Sequence, residues 1–408
     1  MHKFNENTCP AFYVDATLDP AGSYSPCTAL GGGAFKFPNK TFKEIWASPE
    51  LEDARQRSAS GEKLDMCRRC WSEEQLGFKS ERINQLSRLS LLEFVKTDYT
   101  KGPKNLNIKV SNICNLRCRT CQSYDSYLYH LEGKHYEDKH GLTNTIYTRE
   151  KFKKHFTDKQ LDELYNYIDN VEKIELYGGE PLLDDMVPKL LTRIVESGKA
   201  RNIDLKISTN CTHELTEKWR TILLGFKNVT VNISLDAVGD KITYLRHPAD
   251  WKQVYNNLKD FINLESESNY SVSIVPVICV SAINVWDFYE VYEQFVKFKM
   301  FYDIEIKPFI ILVQWPSYYC VNVIPDTVKP IVKEHLESKA ELIGEENVTS
   351  IINLLETEPK LFDESQLNVD TPWDEFKFWT KEKDLYRNED YVTMFPEYGK
   401  ILLDHGVW

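Results

Sequence analysis

Between residues 106 and 310 the sequence switches repeatedly between strand-like and helix-like patterns, and few architectures accept that order. The strand-like pieces are LNIKVS, VEKIELYGG, IDLKIST, VTVNISLDA, YSVSIVPVICV and DIEIKPFI. Between them lie helical patterns: REKFKKHFTDKQLDELYNYIDN, DDMVPKLLTRIVESG, ELTEKWRTILLGF, WKQVYNNLKDFINLE and VWDFYEVYEQFVKF. Strands that alternate with helices imply parallel βαβ units, and six of them suit a partial (β/α)6 barrel. In a barrel of this kind the loops after the strand C-termini carry the chemistry. The expected fold class is therefore α/β, a partial (β/α)6 barrel with additions at both ends.

The additions differ in character. Residues 1–98 open on a turn-rich segment, DPAGSYSPCTALGGGAFKFPNKT, followed by helical patterns in FKEIWASPELEDARQRSAS and WSEEQLGFKSERINQLSRLSLLEFV, with MCRRC between them. Residues 313–408 read as mostly helical, with aromatic anchors in PWDEFKFWTKEKDLYRNEDYVTMFPEY. The expected division is a cysteine-rich module at 1–98, the barrel at 99–312 and an acidic helical extension at 313–408. Net charge is −12, and Pro325–Trp408 holds 9 Lys/Arg against 19 Asp/Glu, leaving 41 and 43 in the rest. That balance argues against non-specific nucleic-acid binding, which needs clustered cations. The start, MHKFNENTCPAFYVDATLDP, lacks a basic segment leading into an apolar run, and the longest apolar stretches are strand-sized. The expectation is a soluble, cytoplasmic protein that does not enter a membrane. In a reducing compartment, clustered cysteines are better read as metal ligands than as disulfides.

The densest cluster is CNLRCRTC, residues 114–121, just after the first strand. Closed structural zinc sites take four ligands, commonly as two distant pairs. Three close thiols without a nearby fourth fit a [4Fe–4S] cluster with one iron left open. A zinc loop that borrows a remote His or Cys is the alternative on spacing alone.

CNLRCRTC, placed after the first of six strands, resembles the Cys-x3-Cys-x2-Cys signature of the radical S-adenosylmethionine (SAM) superfamily. The resemblance implies that Cys114, Cys118 and Cys121 hold the cluster and that the methionyl amine and carboxylate of SAM chelate its open iron. It also implies one-electron cleavage of SAM to a 5′-deoxyadenosyl radical, which abstracts hydrogen from a substrate. Thr120 departs from the aromatic residue common before the last cysteine. LYGGEPLL, after the second strand, is similar to the family motif for the methionyl amine, so Gly178, Gly179 and Glu180 carry over. By the same resemblance Ser208 and Asn210 lie near the cosubstrate, Ser234 and Asp236 face its ribose, and Arg246 meets its carboxylate. Asn284 is a further candidate. At each of these softer positions a strand-end cap is the alternative.

Of the seven other cysteines, Cys9, Cys27, Cys67 and Cys70 make a plausible four-ligand set. Their segment, with its Cys-Pro start, DPAG hairpin, Pro-Cys, FKEIWASPE helix and closing Cys-x2-Cys, is similar to the auxiliary-cluster modules called SPASM and twitch. The resemblance implies a second [4Fe–4S] cluster; zinc on the same residues is the alternative. Such modules usually follow the barrel, whereas this one precedes it. Cys279, inside an apolar strand, is expected as a buried small hydrophobe; Cys211 and Cys320 are isolated candidates for a thiol near the barrel mouth. The long connection QSYDSYLYHLEGKHYEDKHGLTNTIYT is expected to be a lid or binding loop. His130, His135 and His140 recur every five residues, which fits no helix face, and are expected as solvated loop histidines.

The expected function is a radical SAM oxidoreductase with about eight irons per chain in two clusters. Its expected partners are an electron donor such as a flavodoxin or ferredoxin and a peptide or protein substrate, by analogy with relatives that carry such modules. Rival readings are the same chemistry on a sugar, nucleotide or other small metabolite, and a non-catalytic iron–sulfur protein that senses redox state.

Overall fold

The computed structural model describes residues 7–30, 35–36, 40–75, 79–88, 98–149, 153–302, 306–362 and 365–408. Its frame is one nine-stranded sheet. In chain order the strands are β1 (Asp15–Leu18), β2 (Ser23–Ser25), β3 (Phe35–Lys36), β4 (Asn105–Lys109), β6 (Lys173–Tyr177), β7 (Asp204–Thr209), β8 (Asn228–Ser234), β10 (Val272–Val280) and β11 (Phe309–Leu312). Two short strands, β5 (Arg117–Cys118) and β9 (Arg246–His247), form a separate antiparallel pair. The order across the sheet is β11-β10-β8-β7-β6-β4-β1-β2-β3. The six strands β4, β6, β7, β8, β10 and β11 run parallel in sequence order, as the alternation predicts for a partial (β/α)6 barrel.

Helices connect them: α1 (Tyr129–His140), α2 (Asp158–Tyr165), α3 (Val187–Glu196), α4 (Glu217–Gly225), α5 (Trp251–Glu267) and α6 (Tyr289–Tyr302). Their starts are set by side chains that accept orphan backbone N–H groups. Thr157 and Gln160 form a capping box on α2, Thr216 caps α4 and Asp250 caps α5. Alternation along each strand then sorts the two faces. Ile174, Leu176, Leu205, Ile207, Val229 and Val231 enter the common core with helix residues such as Leu190, Ile194 and Phe261. Glu175, Tyr177, Lys206, Ser208, Asn232 and Ser234 alternate with them and stay half-buried on the lumen face.

Two features depart from the sequence reading. The long connection after β4 is not a plain loop, because Tyr129–His140 is a helix. Its buried face is Tyr129, Glu132, Gly133 and Tyr136, which have helical spacing although only the tyrosines are apolar. His140 accordingly sits against Glu382 at 2.9 Å, whereas His135, on the helix and not in a loop, stays exposed with its ring near Tyr386. The cysteine-rich module also joins the barrel sheet directly: β1 pairs in parallel with β4, Thr17 opposite Asn107. Part of the expected helix ending in SLLEFV, and residues 303–305 of the last strand-like segment, lie outside the described residues. After β11 the chain is helical, with α7 (Pro372–Arg387) burying Trp373, Phe376 and Trp379.

Candidate active site

Strand β4 delivers the chain to the mouth of the barrel, where the three-cysteine loop begins. Pairing of β5 with β9 sets Cys118 opposite Arg246, so the YLRHP segment is part of the loop's support. All three cysteines are free and half-buried. The Cys114 thiol lies 3.8 Å from Asn210 Nδ2, and Arg246 Nη1 lies 3.8 Å from the Cys118 thiol. Burial raises the pKa of each thiol. Cys118 pushes Cys114 further up, and Asp125, Cys118 and Cys114 do so for Cys121. Burial opposes ionisation of all three, although Arg246 and Arg387 favour it at Cys118, and a cluster of irons would supply the positive charge that three close thiolates need. Among the described residues, no three His, Cys, Asp or Glu side chains are grouped closely enough to hold a single metal ion.

The glycine turn lies flush against this loop. Gly178 and Gly179 have φ of +79° and +57°, a region that favours glycine. A Cβ on Gly179 would stand 2.5 Å from the Ile113 carbonyl oxygen, one residue before Cys114. The Glu180 backbone N–H donates to that same carbonyl at 2.8 Å. The Glu180 side chain is buried and accepts from Thr209 Oγ1 at 2.8 Å, from the Leu182 N–H at 3.1 Å and from the Asn210 N–H at 2.6 Å. Of roughly four lone-pair sites on a carboxylate, one remains for another donor. Glu180 thus ties the second strand's loop to the third's.

Burial holds the Glu180 pKa up at about 7, against an ordinary 4.5. The folded chain therefore keeps a proton that the unfolded chain loses across that window, and stability falls as pH rises through it. The full effect is on the order of 3 kcal/mol. Glu180→Gln cannot titrate, so urea midpoints of the variant should change less than those of the parent between about pH 5 and about pH 7.5. Equal changes in both proteins would refute this assignment.

The other sequence candidates divide into three groups. Asn210 accepts from Thr212 Oγ1 at 2.6 Å and donates to Asn115 Oδ1 at 3.0 Å, a polar ring beside Cys114. Ser208 and Ser234 lie on the lumen face. Asp236 is ion-paired with Arg246 at 2.8 Å and accepts from the Cys279 N–H at 2.8 Å. Asn284 faces the protein: it donates to the carbonyls of Asp236 and Cys279 and accepts from the Ser281 N–H and Oγ, so it braces Asp236. Sequence reasoning missed Asn115, Thr212 and Cys279. Cys279 is only half-buried, and burial together with Asp236 pushes its thiol up to about 12. Its opposite number on the edge strand is lumen-facing Ile311, so it is no core hydrophobe. Cys211 and Cys320 are the buried ones.

The four cysteines of the N-terminal module come together. Cys9, Cys27, Cys67 and Cys70 line one cavity with Trp71 and Arg82. Burial raises the Cys9 thiol, and Cys27, Cys67 and Cys70 add to it; burial and Cys70 push Cys67 up to about 11. Four mutually opposed thiols around one space suit a cationic group as the first set does. Between the two sets lies a polar cavity lined by Asp19, Ser23, Lys109, Tyr124, Asp125 and Tyr177. Lys109 pairs with Asp125 at 2.6 Å, and Tyr124 donates to Asp19 at 2.5 Å, joining the module's hairpin to the thiol loop.

Comparison with known proteins agrees with this geometry. Residues 108–294 match the model of the Radical SAM superfamily, and residues 9–71 match SPASM, described as an iron–sulfur cluster-binding domain. The first match implies a [4Fe–4S] cluster and SAM, the second auxiliary iron–sulfur. The chain is similar to the GTP 3′,8-cyclase of Syntrophomonas wolfei, 26% identical over 163 residues, 38% of this chain and 42% of that protein. Among solved structures it is similar to anSMEcpe with bound AdoMet, at 17% identity over 60% of this chain and 62% of that one, TM-score 0.39. It is also similar to SuiB of Streptococcus suis bound to S-adenosylmethionine, at 15% identity over 83% and 70% of the two chains, TM-score 0.35. The chain thus spans less than half of the curated relative it matches.

Proposed function

As a radical SAM superfamily protein with an iron–sulfur cluster-binding domain ahead of its barrel, this chain is, we propose, an enzyme that cleaves SAM reductively and takes a hydrogen atom from a peptide or protein side chain. The observation that carries the reading is the loop of three free thiols against which the Gly178–Gly179 turn is packed. Cys114, Cys118 and Cys121 would hold the SAM-binding cluster, and Cys9, Cys27, Cys67 and Cys70 the auxiliary one. Bound there, the cluster and SAM supply a one-electron cleavage of a carbon–sulfur bond.

The chain's own groups position and enclose. Gly179 lets backbone approach where a side chain would block it. Glu180 keeps one acceptor site for an ammonium, a charge-assisted contact. Asp236 steadies Arg246, whose planar fork suits a carboxylate, and Asn284 braces Asp236 from behind. Ser208, Asn210 and Ser234 supply neutral polar groups along the lumen. The domain division follows the same reading, with the auxiliary module at 1–98, the barrel at 99–312 and the helical extension at 313–408. Among the described residues no helix is long and apolar enough to cross a membrane. We take the reductant to be a flavodoxin or ferredoxin and the location to be cytoplasmic.

The lumen supports a peptide over a sugar or nucleotide. From β4 to β8 its face is polar, with Lys109, Tyr177, Lys206, Ser208 and Asn232. At β10 and β11 it turns apolar, with Val277 opposite Phe309 and Cys279 opposite Ile311, and Phe309 and Ile311 are 58% and 43% exposed. An extended peptide offers amides to one wall and an apolar side chain to the other. Reduced, anaerobically reconstituted protein given SAM should yield 5′-deoxyadenosine, and peptides bearing bulky apolar side chains should accelerate it. Ile311→Asp is expected to lose that acceleration and keep the basal rate. Acceleration by nucleotides or sugars instead would overturn the substrate assignment, and no nucleoside from a well-loaded protein would favour a redox-sensing role.

A further inference from the structure

The helical region after the barrel lies outside both matched segments, yet it grips the three-cysteine loop from behind. On α7, Lys383 is completely buried. Its ammonium donates to the Arg119 carbonyl at 2.9 Å, to Tyr147 Oη at 2.8 Å and to Tyr319 Oη at 3.0 Å. One turn on, Arg387 Nη2 donates to the Arg117 carbonyl at 2.9 Å. The Cys118 carbonyl accepts from the Tyr129 hydroxyl. Three successive carbonyls of the loop are therefore held by donors from outside it, two of them from α7.

The pairing in this lattice is uneven, although its three cations and three carboxylates are equal in number. Arg119 is matched by Asp384 and Glu389, each at 2.5 Å. Arg387 is matched by Glu132 at 2.8 Å. Among the described residues no carboxylate bonds to Lys383, and its three acceptors are all neutral. A fully buried ammonium without a counter-charge is costly enough that proteins pair it or discharge it. Burial, with Arg387 and Arg119, holds its pKa well below the usual ammonium range, and Glu132 and Cys121 act the other way. A cluster on the three thiols would bring negative charge near Lys383 and favour its ammonium form.

We propose that Lys383 is a positioning residue for the cysteine loop, one that fixes the backbone between Cys118 and Cys121 and that, protonated once their cluster is in place, raises the reduction potential of that cluster. The inference rests on Cys114, Cys118 and Cys121 being cluster ligands. Its physical basis is that reduction adds negative charge, which a nearby cation favours, and that net charge and hydrogen bonding set cluster potentials.

The test uses the full chain, reconstituted anaerobically, with both clusters followed by potentiometric electron-spin titration. In Lys383→Met the potential of the SAM-responsive cluster should fall, and that of the auxiliary cluster should stay put as an internal control. A chelator should strip iron from the former about tenfold faster, the effect expected from losing one charged hydrogen bond. Lys383→Gln keeps a donor for the Arg119 carbonyl and removes the charge. It should show the lower potential with near-parental iron loss, and it serves as the test should the methionine variant not fold. An unchanged potential in a variant that retains both clusters overturns the proposal. A parent protein with no SAM-responsive signal would instead overturn the ligand assignment, before any variant is made.

Discussion

Cys118→Ala is expected to halve the iron of the reconstituted chain, from about eight atoms to about four, and to abolish 5′-deoxyadenosine. Cys118 is the middle thiol, anchored by pairing with Arg246 and by the Tyr129 hydroxyl on its carbonyl. Those backbone contacts survive the substitution, so the loop keeps its course and loses only a sulfur. A cluster left with two protein ligands is not retained. The auxiliary thiols line a separate cavity, so their four irons should persist. Iron assay, electron-spin spectra with and without SAM, and nucleoside quantification read the outcome together. Nucleoside formed at the parental rate by this variant would sink the ligand assignment.

The barrel was legible because its signal is local. Strands such as β6 and β7 alternate apolar and polar residues without interruption, and that alternation becomes the split between helix-facing and lumen-facing sides. The three-cysteine loop was legible because its cysteines sit within eight positions of the sequence. What could not be read is non-local. Nothing in DATL announces that it pairs with Asn105–Ile108, since a four-residue strand buried at every position carries no alternation. The Tyr129–His140 helix was missed because its inner face buries glutamate and glycine beside tyrosine. Glu132 is tolerable there because Arg387, 255 positions along the chain, meets it together with Arg117 and the Tyr136 hydroxyl. Asn284 reads as a cosubstrate contact from its place after a strand, yet its hydrogen bonds turn it inward to Asp236. Lys383 reads as one more charge in an acidic extension until its three acceptors are known.

Gly179→Ala should retain both clusters and lose nearly all activity, and Gly178→Ala is its control. Both glycines have positive φ, which costs an alanine about 1–3 kcal/mol. What lies beside each differs. At Gly178 the new methyl would meet Lys109 Cγ at 2.4 Å, a side-chain atom, so relief there moves a buried lysine and its Asp125 contact rather than the backbone leading into Cys114. At Gly179 it would meet the Ile113 carbonyl oxygen at 2.5 Å, and the Ile113 nitrogen and Ser111 oxygen at 3.0 Å, all of them backbone. The chain can relieve that contact only by moving the segment that leads into Cys114, or by withdrawing the turn from it. Either movement strains the 2.8 Å hydrogen bond from Glu180 to Ile113 and separates the glycine turn from the thiol loop. A misplacement of roughly 1 Å at a reacting centre can cost about a hundredfold in rate. 5′-Deoxyadenosine formation by Gly179→Ala should therefore fall by about that factor at constant iron content, and the SAM-induced spectral change should weaken with it. Gly178→Ala should fall far less. Equal losses in the two variants would mean that backbone strain alone is at work, and that the close approach of the turn to the cysteine loop has no part in binding SAM.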